Sequence, residues 1–223
     1  MKQFAIAVDG PAGSGKSTAA KLIAAKLGII YVDTGAMYRT VGLHGTRNGI
    51  VLEDEAAVVA SLDTLNMKIV PEEGGQRIFL NEEDVTTAIR TAEAGKGASI
   101  VAAYPVVRER MVELQQEMAK KNSVIMDGRD IGTVVLPDAD VKIYLDAGVE
   151  ERARRRVGEL EAQGKEADYE EIKEMIRQRD YADMNREHSP LKKAEDAIVL
   201  DSTGKGIEEV VQMILDLIAE RVK

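Results

Sequence analysis

A chain in which the apolar run Phe4-Ala5-Ile6-Ala7-Val8 leads straight into Gly10-Pro11-Ala12-Gly13-Ser14-Gly15-Lys16-Ser17 has few folds open to it. The second stretch reads G-x-x-x-x-G-K-S, a phosphate loop of the Walker A kind, and it stands in the setting such a loop requires. A buried strand delivers the chain to the turn. An alanine-rich helix, Ser17–Leu27, then opens with its positive dipole end toward the loop. Gly10, Gly13 and Gly15 allow backbone conformations that a Cβ forbids, so consecutive N–H groups can converge on phosphate oxygens. Lys16 supplies a mobile cation for the β and γ phosphates, and the Ser17 hydroxyl can ligate Mg²⁺. The plainer alternative is a glycine-rich turn before a helix with an exposed lysine; the strand and helix flanks favour a bound nucleotide.

Composition narrows the partners. At 223 residues the chain can bury one substantial core, with room for a small inserted domain. A formal net charge of −9 argues against duplex DNA or RNA, and 4% aromatic residues argue against a stacking platform for single strands. The lack of cysteine excludes disulfides and thiolate metal sites and suits a reducing compartment. His44 and His188 are the only imidazoles and form no site. Neither a signal pattern nor an apolar run of membrane-spanning length is present. The expectation is a cytoplasmic monomer without nucleic-acid or membrane partners.

Along the chain, Gly28 closes the first helix, Ile29–Val32 reads as a buried strand ending at Asp33, and Thr34 reads as the N-cap of a helix stopped by Asn48-Gly49. Glu53–Leu65 reads as a further helix. Met67–Val70 and Arg77–Leu80 then flank Pro71–Gln76 as a hairpin whose loop is too short for a parallel crossover. The pair is therefore expected outside the main sheet, in an insertion of about residues 62–103, within which 86–102 fits helix or loop. Pro105 opens a long amphipathic helix through Lys121. Strands Val124–Asp127, Val141–Asp146 and Ala197–Leu200 alternate with helices from about Val149, from Tyr169 to about Arg186, and from Ile207. Such alternation implies an α/β fold, a parallel sheet covered by helices on both faces. Arg152–Arg156 and Gln163-Gly164-Lys165 read as breaks in a helical segment and suggest a basic flap over about 152–167, leaving a core of about 1–61, 104–151 and 168–223.

In such a sheet ligands gather at the carboxyl ends of the strands, here Gly10, Asp33, Asp127 and Asp146. Asp127 closes its apolar run as a Mg²⁺-ordering carboxylate does, directly or through water, or else as a cap. Asp146 looks like the N-terminal partner of the helix after it. In Asp127-Gly128-Arg129-Asp130, Arg129 can fork onto a phosphate and Asp130 can read a donor on the substrate; a surface turn is the alternative. Thr34 and Tyr38 share a helix face with Arg39 beside them, a pattern that serves binding or capping and packing equally. Arg179, Asp183 and Arg186 stand at i, i+4 and i+7, either an ion-paired surface stripe or a row of donors facing a sugar phosphate. The phosphate loop favours the second. Arg152, Arg155 and Arg156 share a face and could act as arginine fingers supplied in cis, with Arg154 solvated. His44 reads as a packed or helix-surface residue and His188 as part of a turn. The carboxylates of Glu53–Glu55, Glu72-Glu73 and Glu82–Asp84 read as solubilising surface.

With these residues in view, the chain resembles the bacterial cytidylate kinases essentially end to end. The phosphate loop is shared by many families; Asp33-Thr34-Gly35-Ala36-Met37-Tyr38-Arg39, Asp127-Gly128-Arg129-Asp130-Ile131-Gly132-Thr133-Val134-Val135, and Arg179-Asp180 through Asn185-Arg186 are more specific. The resemblance implies a three-layer P-loop kinase fold with five parallel strands, a monophosphate-binding insertion and a short arginine-bearing lid. It implies ATP at Gly10, Pro11, Ala12, Gly13, Ser14, Gly15, Lys16, Ser17 and Thr18, and Mg²⁺ at Ser17 and, through water, at Asp127. CMP or dCMP would touch Thr34, Tyr38, Arg39, Ser99, Arg108, Arg129, Asp130, Arg179, Asp183 and Arg186. Of these, Ser99, Arg108 and Asp130 face the base, Arg179 and Asp183 the sugar, and Arg39, Arg129 and Arg186 the phosphate. The family often has Ser where Thr34 stands, and the hydroxyl is retained. Lys16, Arg129, Arg152 and Arg156 are the expected catalytic cations for transfer of the ATP γ-phosphoryl group to CMP or dCMP. The rivals are a P-loop kinase for another monophosphate such as UMP or for a small hydroxyl metabolite, and a nucleotide switch. The metabolite version of the first would favour a carboxylate base aimed at the acceptor hydroxyl. The second would want an Asn-Lys-x-Asp guanine reader, which the chain lacks.

Overall fold

The structure, a computed structural model, describes residues 3–72 and 75–222. In chain order its elements are β1 (Ala5–Asp9), α1 (Lys16–Leu27), β2 (Ile30–Asp33), α2 (Thr34–Arg47), α3 (Glu55–Ser61), β3 (Met67–Glu72), β4 (Gly75–Leu80), β5 (Glu83–Asp84), α4 (Ala92–Val101) and α5 (Pro105–Lys121). There follow β6 (Val124–Gly128), β7 (Val141–Asp146), α6 (Val149–Ala162), α7 (Tyr169–Asn185), β8 (Ile198–Asp201) and α8 (Ile207–Arg221). The main sheet has five strands in the order β2-β6-β1-β7-β8, and a second, three-stranded sheet has the order β3-β4-β5. Its neighbours β1, β7 and β8 run parallel, as strands linked by helical crossovers must. Ile6, Val8, Val141, Ile143 and Leu145 of β1 and β7, inside the sheet, are buried, while β8 at its edge leaves Val199 exposed. Contacts divide the chain into two compact units, Met1–Ile23 with Asp127–Lys223, and Ala24–Met126.

In the first unit, register sets Asp9 opposite Tyr144 and Asp146 opposite Asp201, so β1, β7 and β8 end along one edge. Helices α6 and α7 form a hairpin closed on Ala153, Ile172 and Ile176, with Val149, Val157 and Leu160 packed against them. The basic stretch Arg152–Arg156 therefore lies inside continuous helix and does not interrupt it, contrary to expectation. The apolar spacing of Val149, Ala153, Val157 and Leu160 carries the helix through; irregular chain is confined to 163–168. A single wide helical turn over Ile131–Val135 follows β6, with no counterpart among the sequence expectations.

In the second unit, Asp33 and not Thr34 caps α2: its Oδ1 accepts the N–H of Ala36 at 2.8 Å. Either residue can cap, but Asp33 has the extended backbone a cap needs, while Thr34 is already helical. The hairpin forms off the main sheet, with Met67 opposite Leu80 and Pro71 opposite Gln76; its expected turn residues Glu73 and Gly74 lie outside the described residues. Ile78, Leu80, Val85 and Ile89 close its core against Ala36 of α2. The ambiguous segment resolves into a tight 3₁₀ turn, Ala88–Arg90, and α4, capped by Thr91. Helix α3 is shorter than expected, ending in a 3₁₀ turn over Leu62–Thr64. Among the described residues no helix is long and apolar enough to cross a membrane.

Candidate active site

The phosphate loop joins β1 to α1. Gly10, Gly13 and Gly15 have φ of +145°, +79° and +91°, the conformations for which glycine is suited. Lys16 is buried, and its Nζ bridges the loop by donating to the carbonyl of Pro11 at 2.6 Å and to Ser14 Oγ at 3.3 Å. Burial, then the positive charge of Arg129, pushes its pKa down from 10.5 to about 7. Ser17 Oγ donates to Asp127 Oδ2 at 2.7 Å, so the last loop residue and the end of β6 meet.

The expected arginines divide. Arg152 is buried: its Nε donates to the carbonyl of Ala147, one Nη to that of Ala12 in the loop at 3.1 Å, and the other to Asp180 at 2.6 Å. Arg155, outside the expected catalytic set, also reaches the loop, donating to the carbonyl of Ser14 at 3.5 Å and to Ser202 at 2.6 Å. Arg156 is exposed and pairs with Glu159 at 2.9 Å. Arg129 Nε donates to Asp183 at 2.8 Å. Burial works against both charges, yet each partner stabilises the other: the Arg129 pKa stands above its ordinary value and that of Asp183 below. Arg186 lies 4.0 Å from Asp183 and donates to the carbonyl of Ser189. Arg179 is exposed on α7, close enough to Asp183 and Lys16 to act on both through its charge.

Sequence reasoning missed Asp9. The last residue of β1 is buried and accepts the amides of Ile131 and Gly132, each at 2.7 Å, which anchors the segment that carries Arg129 and Asp130. Burial raises its pKa to about 6 against those two hydrogen bonds. The one available signal was a carboxylate directly before the loop. Asp146 does not cap α6, whose N-cap is Gly148; its Oδ1 accepts the N–H of Ala147.

The second unit assembles its own cluster. Asp33 Oδ2 accepts Arg39 at 2.9 Å and Arg90, another residue missed, at 3.0 Å. Gln76 of β4 clamps the main chain of the same residue: its Oε1 accepts the Asp33 N–H at 3.0 Å, and its Nε2 donates to the Asp33 carbonyl at 3.4 Å. Thr34 and Tyr38 are buried on α2, and the Arg108 guanidinium lies over the Tyr38 ring, 5.5 Å from its centre. Ser99 is exposed on α4 and donates to the carbonyl of Gly95.

A family model described as cytidylate kinase matches residues 6–220. A cytidylate kinase of Caldicellulosiruptor bescii is 52% identical over 223 residues, covering 100% of this chain and 99% of that one. One from Leuconostoc mesenteroides is 50% identical over 222 residues, with 100% and 99% covered. Among solved structures, an uncharacterised protein from Eubacterium ventriosum superposes with a TM-score of 0.55 at 16% identity over 99% of this chain and 100% of its own, a likeness of fold alone. The chain belongs to the cytidylate kinase family.

Proposed function

We propose that the chain transfers the γ-phosphoryl group of ATP to CMP or dCMP, giving ADP with CDP or dCDP. The observation that carries this reading is the 52% identity to a cytidylate kinase along the whole length of both chains. In the reaction an oxygen of the acceptor phosphate attacks the γ phosphorus in line. The bond from that phosphorus to the bridging oxygen breaks, and ADP leaves with the electron pair. The acceptor phosphate has its second pKa at about 6 and is a dianion at neutral pH, so no general base is required. Position and charge then supply the catalysis.

In this reading Gly10, Pro11, Ala12, Gly13, Ser14, Gly15, Lys16, Ser17 and Thr18 hold ATP, and Lys16, Arg129, Arg152 and Arg156 bring positive charge to the transferring group. Thr34, Tyr38, Arg39, Ser99, Arg108, Arg129, Asp130, Arg179, Asp183 and Arg186 hold the monophosphate. Residues 62–103 act as its binding insertion and 152–167 as a lid. Ser17 Oγ and the Asp127 carboxylate are hard oxygen donors 2.7 Å apart and suit Mg²⁺, Ser17 directly and Asp127 through water. When bound, such an ion neutralises charge on the phosphate oxygens. Among the described residues no three His, Asp or Glu side chains gather as a metal cage, which fits an ion completed by nucleotide phosphates and water. The chain is taken to act as a cytoplasmic monomer on small-molecule nucleotides.

The deciding experiment offers ribo- and deoxynucleoside monophosphates in turn with ATP and follows ADP release. CMP and dCMP are expected to give the highest kcat/KM. A preference for UMP, AMP or a hydroxyl metabolite overturns the reading.

A further inference from the structure

Arg90 belongs to none of the motifs that single out the other site residues. It ends the turn Ala88–Arg90, and its Nη1 shares one oxygen of Asp33 with Arg39, at 3.0 and 2.9 Å. The other Asp33 oxygen caps α2 through Ala36. If the role were only to tie this turn to the end of β2, one guanidinium on the carboxylate would suffice; a second on the same oxygen is repelled by the first. The cluster carries two positive charges against one negative, and it sits at the N-terminus of α2, where the helix dipole adds more positive potential. The Asp33 side chain is only 5% exposed, whereas that of Arg90 is 42% exposed. Arg39 Nε is buried without a hydrogen-bond partner, a donor whose desolvation is uncompensated within the protein. Gly35 clears the approach, since a Cβ there would stand 3.4 Å from Arg39 Nη1. Excess positive charge, forked donors with capacity to spare and a helix N-terminus are together what a tetrahedral dianion needs.

We infer that Arg90 binds the phosphate of the acceptor nucleotide as a second guanidinium beside Arg39, with Asp33 orienting both. The inference rests on the chain being a nucleoside monophosphate kinase. It is tested by comparing wild type, Arg90→Ala and Arg90→Lys for turnover with CMP, KM for ATP, and inhibition constants for CMP analogues and for cytidine, which has the same base and sugar and no phosphate. Arg90→Ala is expected to weaken CMP by roughly 10- to 100-fold, the worth of a charge-assisted hydrogen bond, while cytidine and ATP change less than about twofold. Arg90→Lys keeps the pair with Asp33 and hence the local fold, but loses the fork, and is expected to fall between. Equal weakening of CMP and cytidine would assign Arg90 a structural tie and overturn the inference, as would unchanged CMP affinity in both variants. If wild type phosphorylates no nucleoside monophosphate, it is the functional reading that fails. Normal wild-type turnover with an indifferent Arg90 isolates the failure to this residue.

Discussion

Lys16 is the residue at which function and stability pull hardest against each other. Unfolded, it keeps its proton to about pH 10.5; folded and without nucleotide, only to about 7. Between those values the unfolded chain binds more protons than the folded one, so stability rises with pH from 7 to 10.5. Below 7 the whole cost of burying the charge is present. Lys16→Met is therefore expected to abolish transfer yet raise the melting temperature of the nucleotide-free protein, by more at pH 6 than at pH 9.5. Thermal melts at the two pH values check this, and a lower melting temperature at pH 6 would refute it. Much of the loop was legible because its meaning is local: glycine spacing, lysine and hydroxyl all lie within Gly10–Ser17. Asp9 and Arg90 were not, because their partners lie far along the chain, at Ile131 and Gly132 and at Asp33; Arg155 was legible as a candidate finger but not as a donor to the carbonyls of Ser14 and Ser202. Periodicity could place Arg152, Arg155 and Arg156 on one side of a helix. It could not fix the helix's rotation, which Ala153 and Val157 set by packing on α7 and which leaves Arg156 in solvent.

At the level of elements, the crossing of α2 and α4 depends on glycine. A Cβ on Gly42 would lie 3.1 Å from the carbonyl carbon of Gly97, and backbone cannot swing aside as a side chain can. Alanine at a helix interior gains about 1 kcal/mol of propensity, while overpacking costs about 1–3 kcal/mol. The clash is expected to win at Gly42. Gly158, exposed on α6 with nothing near its missing Cβ, should show only the gain. Urea unfolding of Gly42→Ala and Gly158→Ala should thus shift the midpoint in opposite directions, and a shift of the same sign would contradict the account. Apolar rhythm and capping residues bounded α5 and β7 to the residue because both are long or strongly alternating. The Ala88–Arg90 turn and β5 escaped for the opposite reason: three and two residues carry no period, and tertiary contacts alone decide them.

Across the whole molecule, the phosphate loop lies within one compact unit and the Asp33–Arg39–Arg90 cluster within the other. A non-hydrolysable ATP analogue given alone is expected to slow hydrogen exchange at amides of residues 10–18 that open locally, leaving those of 33–39 unchanged. Equal protection of both stretches would show that the donor does not select the loop. The acidic balance of −9 leaves capture of anionic nucleotides to such local concentrations of positive charge rather than to the protein's overall field.

The reciprocal grip of Gln76 on the main chain of Asp33 has one more consequence. It welds the antiparallel ribbon to the very residue whose carboxylate aims two guanidiniums, so the pitch of that ribbon and the bearing of those charges are a single mechanical coordinate.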